Sequence, residues 1–204
     1  MKKGLTEIIV VLDRSGSMAS IAKDMEGGFN EFIRQQRLIP GECRVTLVQF
    51  DTQYEMVYAG MDLHSVPPLK LEPRGGTALL DAIGRTIEDT GRRYSSMQEA
   101  ERPERVLFVV LSDGQENSSN PYGSYIRPGV VPSLIKRQTD VYSWQFVYFG
   151  ANQDAIAVAH GLNIPMAENF SADTFGVACA LNNMTTGSAN YRAGHGYIVT
   201  PLKP

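Results

Sequence analysis

Several residue types that mark whole functional classes are scarce in this chain. Its 204 residues include two cysteines, one tryptophan and three histidines. Cys43 and Cys179 are far apart and show no CxxC spacing, so a zinc ribbon or a dithiol redox pair is not supported and two reduced thiols are expected. His64, His160 and His195 are isolated from one another, which argues against an imidazole-based metal centre. No apolar run approaches the ~20 residues that a membrane span requires. Met1-Lys2-Lys3-Gly4 runs directly into an apolar strand, without a separate apolar segment and small-residue cleavage site. An excess of one charge sign is also lacking. Nineteen Lys and Arg against 22 Asp and Glu give a net charge of -3, with no basic cluster able to track a phosphate backbone. Together these absences speak against nucleic-acid and membrane partners and lead to the expectation of a cytoplasmic protein.

What is present is a chain that is 43% hydrophobic, enough to bury one substantial core and too short for two full domains. Two uninterrupted apolar runs dominate it. Ile8-Ile9-Val10-Val11-Leu12 ends in Asp13, and Val106-Leu107-Phe108-Val109-Val110-Leu111 ends in Ser112-Asp113-Gly114. Such runs suit strands covered on both faces, as in the parallel sheet of an α/β protein, whose functional groups gather at the carboxyl ends of the strands. Asp13, Ser15 and Ser17 then lie on a tight loop in which Gly16 supplies backbone freedom. One carboxylate and two hydroxyls form a hard, all-oxygen donor set, better suited to Mg²⁺ or Mn²⁺ than to zinc or copper.

The remaining pattern alternates helix and strand. Met25, Phe29, Phe32 and Ile33 predict a helix over 23–37, ended by Pro40-Gly41. Val45 to Phe50 predicts a second strand, and Tyr54 to Tyr58 follows so closely that it must return as an antiparallel edge. After a proline-rich connection, Arg74-Gly75-Gly76-Thr77 leads into a helix with Leu80, Ile83, Ile87 and Tyr94 on one face. Gly84 and Gly91 share that face and predict a close approach to the sheet. Thr77 is placed to cap this helix or to reach a metal. Asp81, one turn on, is placed to bond a neighbouring loop or to serve a surface or capping role. Further helices are expected over 128–139, up to His160 and up to Asn190, with strands over 141–149 and 162–165. Phe170-Ser171-Ala172-Asp173 reads as the entry to the last helix. The expected fold is α/β: a doubly wound, mostly parallel central sheet with one antiparallel edge strand and helices on both faces. Residues 1–193 form the domain, and 194–204 are an extended tail that packs on the domain, pairs with an edge or is partly ordered.

Asp13-x-Ser15-x-Ser17 followed by Met18, Gly75-Gly76-Thr77, and Ser112-Asp113-Gly114 together resemble the three-part metal-ion-dependent adhesion site of von Willebrand factor A domains. The resemblance extends from about Thr6 to Asn190 and points to the stand-alone bacterial or phage kind; the tail has no counterpart. It implies that Ser15, Ser17 and, in one state, Thr77 contact a Mg²⁺ or Mn²⁺ ion directly, while Asp13 and Asp113 act wholly or partly through water. It also implies a divalent-metal-dependent protein-interaction module, not an enzyme, whose ion attracts an exposed Asp or Glu of a partner protein. Taken singly, Asp13 or Asp113 would be a turn or cap residue and Thr77 a helix cap; their combination favours a metal. Gln115, Glu116, Asn117 and Asn152 are candidates for the rim. The alternatives are a metal-dependent phosphohydrolase, a dinucleotide-dependent oxidoreductase, or a structural subunit whose metal only orders loops. The enzymes lack their parts: no G-x-x-x-x-G-K-[ST] loop, no G-x-G-x-x-G after the first strand, and Ser where Asp-dependent phosphotransferases commonly carry a second Asp.

Overall fold

The computed structural model describes residues 1–123, 126–151 and 154–197. In chain order its elements are β1 (Lys2–Asp13), α1 (Ala22–Gln36), β2 (Cys43–Phe50), β3 (Tyr54–Asp62), α2 (Leu79–Ser96), β4 (Pro103–Ser112), α3 (Val130–Tyr142), β5 (Gln145–Ala151), α4 (Ala155–Gly161), β6 (Met166–Phe170) and α5 (Thr174–Arg192). The strands form one six-stranded sheet in the order β3-β2-β1-β4-β5-β6. All neighbours are parallel except β3, which runs antiparallel to β2 at one edge. The expected fold class is the observed one.

The central position of β1 follows from its composition. Every residue from Leu5 to Asp13 is buried, because helices cover both faces of the sheet. Strand alternation sends Ile8, Val10 and Leu12 to the face covered by α1 and α5, with Met25, Phe29, Phe32, Leu181 and Met184. Ile9 and Val11 face the other side, with Leu79, Ile83, Ile87, Val131 and Ile135. Fully burying each such side chain contributes roughly 1.5–3 kcal/mol. One charge is buried among them. Glu7 in β1 is fully buried, accepts from Thr46 Oγ1 at 2.6 Å and Tyr94 Oη at 2.9 Å, and is paired with Arg93. These bonds lock α2 onto the sheet, since a buried carboxylate is tolerated only when paired and hydrogen-bonded.

Connections leave β1 toward β2 and β4 toward β5, so the strand order reverses between β1 and β4. In open α/β sheets the crevice at that switch point is where ligands bind.

Local details depart from the sequence-based expectations. Val141 and Tyr142 are the exposed last residues of α3 rather than the start of a strand; Ser143 in the left-handed conformation (φ 56°) ends the helix, and β5 begins at Gln145. The last strand is Met166–Phe170, not residues 162–165. Leu162 closes α4 and Asn163 turns the chain at φ 59°, which β-type composition alone did not reveal. Asp173 caps α5 as anticipated, accepting from the Gly176 N–H at 2.7 Å. Gly84 makes room for the ring of Tyr122, not for the sheet, and Gly91 faces open space. Gly28 instead permits the close approach of α1 to Leu181 of α5. Both cysteines are free. Of the tail, Tyr197 is buried against Gly187, while residues 198–204 lie outside the described residues, as does Asn152. Among the described residues, no helix is long and apolar enough to cross a membrane.

Val109, fully buried in β4, should not tolerate charge. Val109→Asp places an unpaired carboxylate in the apolar layer between the sheet and α1 and α5 at a cost on the order of 5 kcal/mol. Loss of cooperative thermal unfolding by circular dichroism is the expected result; a wild-type transition would contradict the placement of β4.

Candidate metal centre

Strands β1 and β4 pair through Leu12 and Leu111, so the residues that follow leave the sheet side by side. Asp13 is fully buried there. Its Oδ2 accepts from Ser112 Oγ and its Oδ1 from the Ser15 backbone N–H, both at 2.6 Å. The second bond is a tight Asx-type turn that brings the chain back over the strand end. Ser15 and Ser17 then face the same side, their hydroxyls 3.0 Å apart, and Ser17 Oγ donates to Asp113 Oδ1 at 2.7 Å. Beyond them a short 3₁₀ turn, Gly16–Ser20, buries Met18 and leads into α1.

The threonine arrives from the other side. The Gly16 N–H donates to Gly75 O at 3.1 Å, joining the two loops, and Thr77 is 2% exposed. The capping role open to Thr77 is not what the structure shows. Ala78 occupies the N-cap position of α2, and the first helical N–H groups are satisfied from another loop: Leu80 donates to Glu116 Oε2 at 2.9 Å and Asp81 to Ser119 Oγ at 3.0 Å. Asn117 holds the Thr77 backbone, its Oδ1 accepting from the Thr77 N–H at 2.9 Å while its own N–H donates to Thr77 O at 3.0 Å. Asp81 completes the clamp by accepting from the Asn120 and Tyr122 N–H groups at 2.9 and 2.8 Å.

Gly114 reveals where the hydroxyls point. A β-carbon built there would lie 2.6 Å from Thr77 Oγ1, 3.4 Å from Ser17 Oγ and 3.5 Å from Ser15 Oγ. Three hydroxyls therefore surround one point beside Gly114, with Asp113 bonded to one of them. All five residues singled out in the sequence, Asp13, Ser15, Ser17, Thr77 and Asp113, are brought together.

The electrostatics of the cluster are unbalanced. Burial pushes the Asp13 carboxyl up to about 6, against the lowering effect of the Ser112 and Ser15 bonds. Burial also raises the Asp113 carboxyl, partly offset by the Ser17 bond. Among the described residues no salt bridge reaches either group; Arg14, between Asp13 and Ser15, turns away to Asp51 and Glu55. Nor do three or more His, Cys, Asp or Glu side chains converge among the described residues. The donor set is two carboxylates and three hydroxyls, with no ion-paired cation beside them among the described residues. Such a set fits a small, hard divalent ion and does not fit a thiolate or imidazole site.

Of the rim candidates, Glu116 and Asn117 serve to hold α2 and Thr77, and Gln115 is exposed. The supporting roles of Asn117 and Ser112 were not anticipated. For Ser112 a signal existed: in a parallel pair whose partner strand ends in Asp13, the residue after Leu111 must lie beside that carboxylate.

No family model matches the chain, and no curated protein matches it. Solved structures do share its fold. A von Willebrand factor type A protein from Catenulispora acidiphila is 16% identical over 91% of this chain and 43% of that one, with a TM-score of 0.62. The pilus adhesin SpaC from Lactobacillus rhamnosus GG is 14% identical over 94% of this chain and 31% of that one, with a TM-score of 0.66. Proximal thread matrix protein 1 from the mussel byssus, solved with a zinc-occupied adhesion-site motif, is 14% identical over 91% and 46%, with a TM-score of 0.60. At these identities the likeness establishes the von Willebrand factor A fold, and the chain spans less than half the length of each neighbour.

Two outcomes follow from the geometry. Gly114→Ala should remove calorimetric heat of Mg²⁺ or Mn²⁺ binding at millimolar concentration while leaving circular dichroism unchanged, because the methyl group fills the space between the hydroxyls; heat equal to that of the wild type would place the ion elsewhere. The second concerns pH in the presence of chelator. The carboxyl of Asp13 is raised on folding, so its contribution to stability is complete below 3.8 and lost as pH rises through about 6. The unfolding midpoint should carry a decline from about pH 4 to about 6.5 that Asp13→Asn flattens; identical pH profiles for the two proteins would contradict the assignment.

Proposed function

We propose that this chain is a divalent-metal-dependent protein-interaction module. Asp13, Ser15, Ser17, Thr77 and Asp113 would hold Mg²⁺ or Mn²⁺, and an exposed Asp or Glu of a partner protein would complete the site. The observation that carries this reading is the set of three hydroxyls around Gly114 beside two carboxylates that burial makes costly to ionise and that no cation among the described residues neutralises. A bound divalent ion supplies the missing positive charge and an electrophilic centre for an anionic ligand.

The chain's own groups set the terms of that recognition. Asp13 is held by Ser112 and the Ser15 N–H, so it contributes a fixed charge below the hydroxyl cluster. Ser17 orients Asp113 by donating to it. Because neutral hydroxyls make up most of the donor set, little negative charge opposes an incoming carboxylate, and a charge pair formed in a partly dehydrated crevice is stronger than one in bulk water. Modest metal affinity is the corollary, since few carboxylates bind the ion.

Support from known proteins is of the same kind: one structural neighbour was solved with a zinc-occupied adhesion-site motif, and another is a pilus adhesin. Zinc therefore belongs beside Mg²⁺ and Mn²⁺ in any titration. Binding rather than catalysis is favoured because Ser15 stands where Asp-dependent phosphotransferases commonly carry a second Asp. The two free thiols support a reducing, cytoplasmic setting.

A partner captured from the native host with Mg²⁺ and released by EDTA allows a direct check. Its affinity should be high only for the wild type with metal. Asp13→Ala should abolish the metal-dependent part without unfolding the domain, since loss of this carboxylate opens no hydrophobic cavity. Equal affinity for wild type and Asp13→Ala, with metal and with EDTA, would rule the mechanism out.

A further inference from the structure

Asp51 belongs to none of the motifs that point to the metal centre. It stands in the turn between β2 and β3, and its side chain is 1% exposed. One of its oxygens, Oδ2, accepts from Arg14 Nε at 2.8 Å and from Arg74 Nε at 2.9 Å. Arg14 lies between Asp13 and Ser15, and Arg74 precedes Gly75-Gly76-Thr77. A single carboxylate oxygen thus joins the serine loop to the threonine loop. The other oxygen, Oδ1, accepts from the Gln53 N–H at 2.7 Å, which fixes the carboxylate within its own turn.

The backbone repeats the linkage. Asp51 O accepts from the Ala78 N–H at 3.0 Å, next to Thr77, and the Arg14 N–H donates to Phe50 O at 2.7 Å. Gly75 adopts φ 65° against this turn, where a side chain would meet Thr52 Oγ1 at 3.1 Å. Burial alone would raise the Asp51 carboxyl, yet the bonds from Arg74, Gln53 and Arg14 hold it below the ordinary range. It is therefore a persistent negative charge between two guanidinium groups, and charge-assisted bonds of this type are the strong ones.

We propose that Asp51 is a positioning residue of the metal centre, setting the spacing between Ser15 and Thr77 by bridging Arg14 and Arg74. The proposal rests on the metal-binding reading above. Its physical basis is that the two hydroxyl-bearing loops are far apart in sequence, whereas a small ion such as Mg²⁺ demands near-ideal geometry. A shift of one loop against the other would keep every donor in the chain yet leave the site unable to close around the ion.

Arg74 provides the cleanest test, because its side chain is 54% exposed and its removal opens no cavity. Mn²⁺ calorimetry, thermal unfolding and amide hydrogen exchange at Gly16, whose N–H bridges the loops to Gly75, should be measured for wild type, Arg74→Ala, Arg74→Lys and Asp51→Asn. Arg74→Ala should weaken Mn²⁺ about tenfold, as loss of a supporting partner commonly does, and Arg74→Lys should stay within about threefold of the wild type. Exchange at Gly16 should quicken in Arg74→Ala and Asp51→Asn, with the Arg74→Ala unfolding midpoint close to that of the wild type. Undiminished Mn²⁺ affinity in both Arg74→Ala and Asp51→Asn, against a binding wild type, would overturn the proposal alone. So would affinity losses that merely follow the unfolding midpoint across all variants. A wild type that gives no heat with Mn²⁺ would overturn the metal-binding reading and this proposal together.

Discussion

The parallel pairing of β1 with β4 is the constraint on which the rest of this structure depends. Its register sets Leu12 beside Leu111, and one residue further the two chains leave the sheet with Asp13 bonded to Ser112. Residues almost a hundred positions apart thereby share one crevice. The pairing is rigid because both strands are buried on both faces, so neither can slip by a residue without turning its apolar side chains to the wrong layer. Placement of Asp13, Ser112 and Asp113 is a consequence of how Ile, Val and Leu pack beneath them.

Above that frame the loops are held by polar bonds, and the division of labour among carboxylates is informative. Glu7 and Asp51 are buried and paired with arginines, the arrangement expected of structural charges. Among the described residues, Asp13 and Asp113 are bonded to hydroxyls and amide N–H groups and to no guanidinium, and burial raises both. The fold thus accepts an electrostatic cost at one place where it avoids it elsewhere, and such uncompensated groups in a crevice are where function is to be sought. Arg14 makes the contrast sharper: it lies between Asp13 and Ser15 in sequence, yet its guanidinium is turned to Asp51 and Glu55 and not to the neighbouring carboxylate.

The long connection after β4 has a second task besides carrying Asp113. Glu116 and Ser119 cap α2, Asn117 grips Thr77 on both its N–H and C=O, and Asp81 grips the connection in return. Because capping of α2 is supplied from this loop, the Thr77 hydroxyl is left to face Ser15 and Ser17. Movement of the loop would therefore move Asp113, Thr77 and the start of α2 together.

What the sequence by itself determined was the set of elements and the identity of the candidate ligands. Runs as apolar as Ile8 to Leu12 and Val106 to Leu111 have a stable place only in a doubly covered sheet, and Asp13, Ser15, Ser17, Thr77 and Asp113 stand at the ends or loops such a sheet requires. The limits of β5 and β6 were not legible, because Val141 and Tyr142 have strand-like composition yet lie on the exposed last turn of a helix, where left-handed Ser143 rather than side-chain pattern sets the boundary. Only the tertiary structure decided which groups hold the ligands in place. Asp51 looks like an ordinary turn residue in sequence, and Glu116 and Asn117 read as rim residues; nothing local shows that they hold the ligands, since their partners Arg74, Leu80 and Thr77 lie 23, 36 and 40 residues away. Hydrophobic periodicity is a local signal that survives in one dimension; the pairing of a buried carboxylate with a distant guanidinium exists only once the chain has closed on itself.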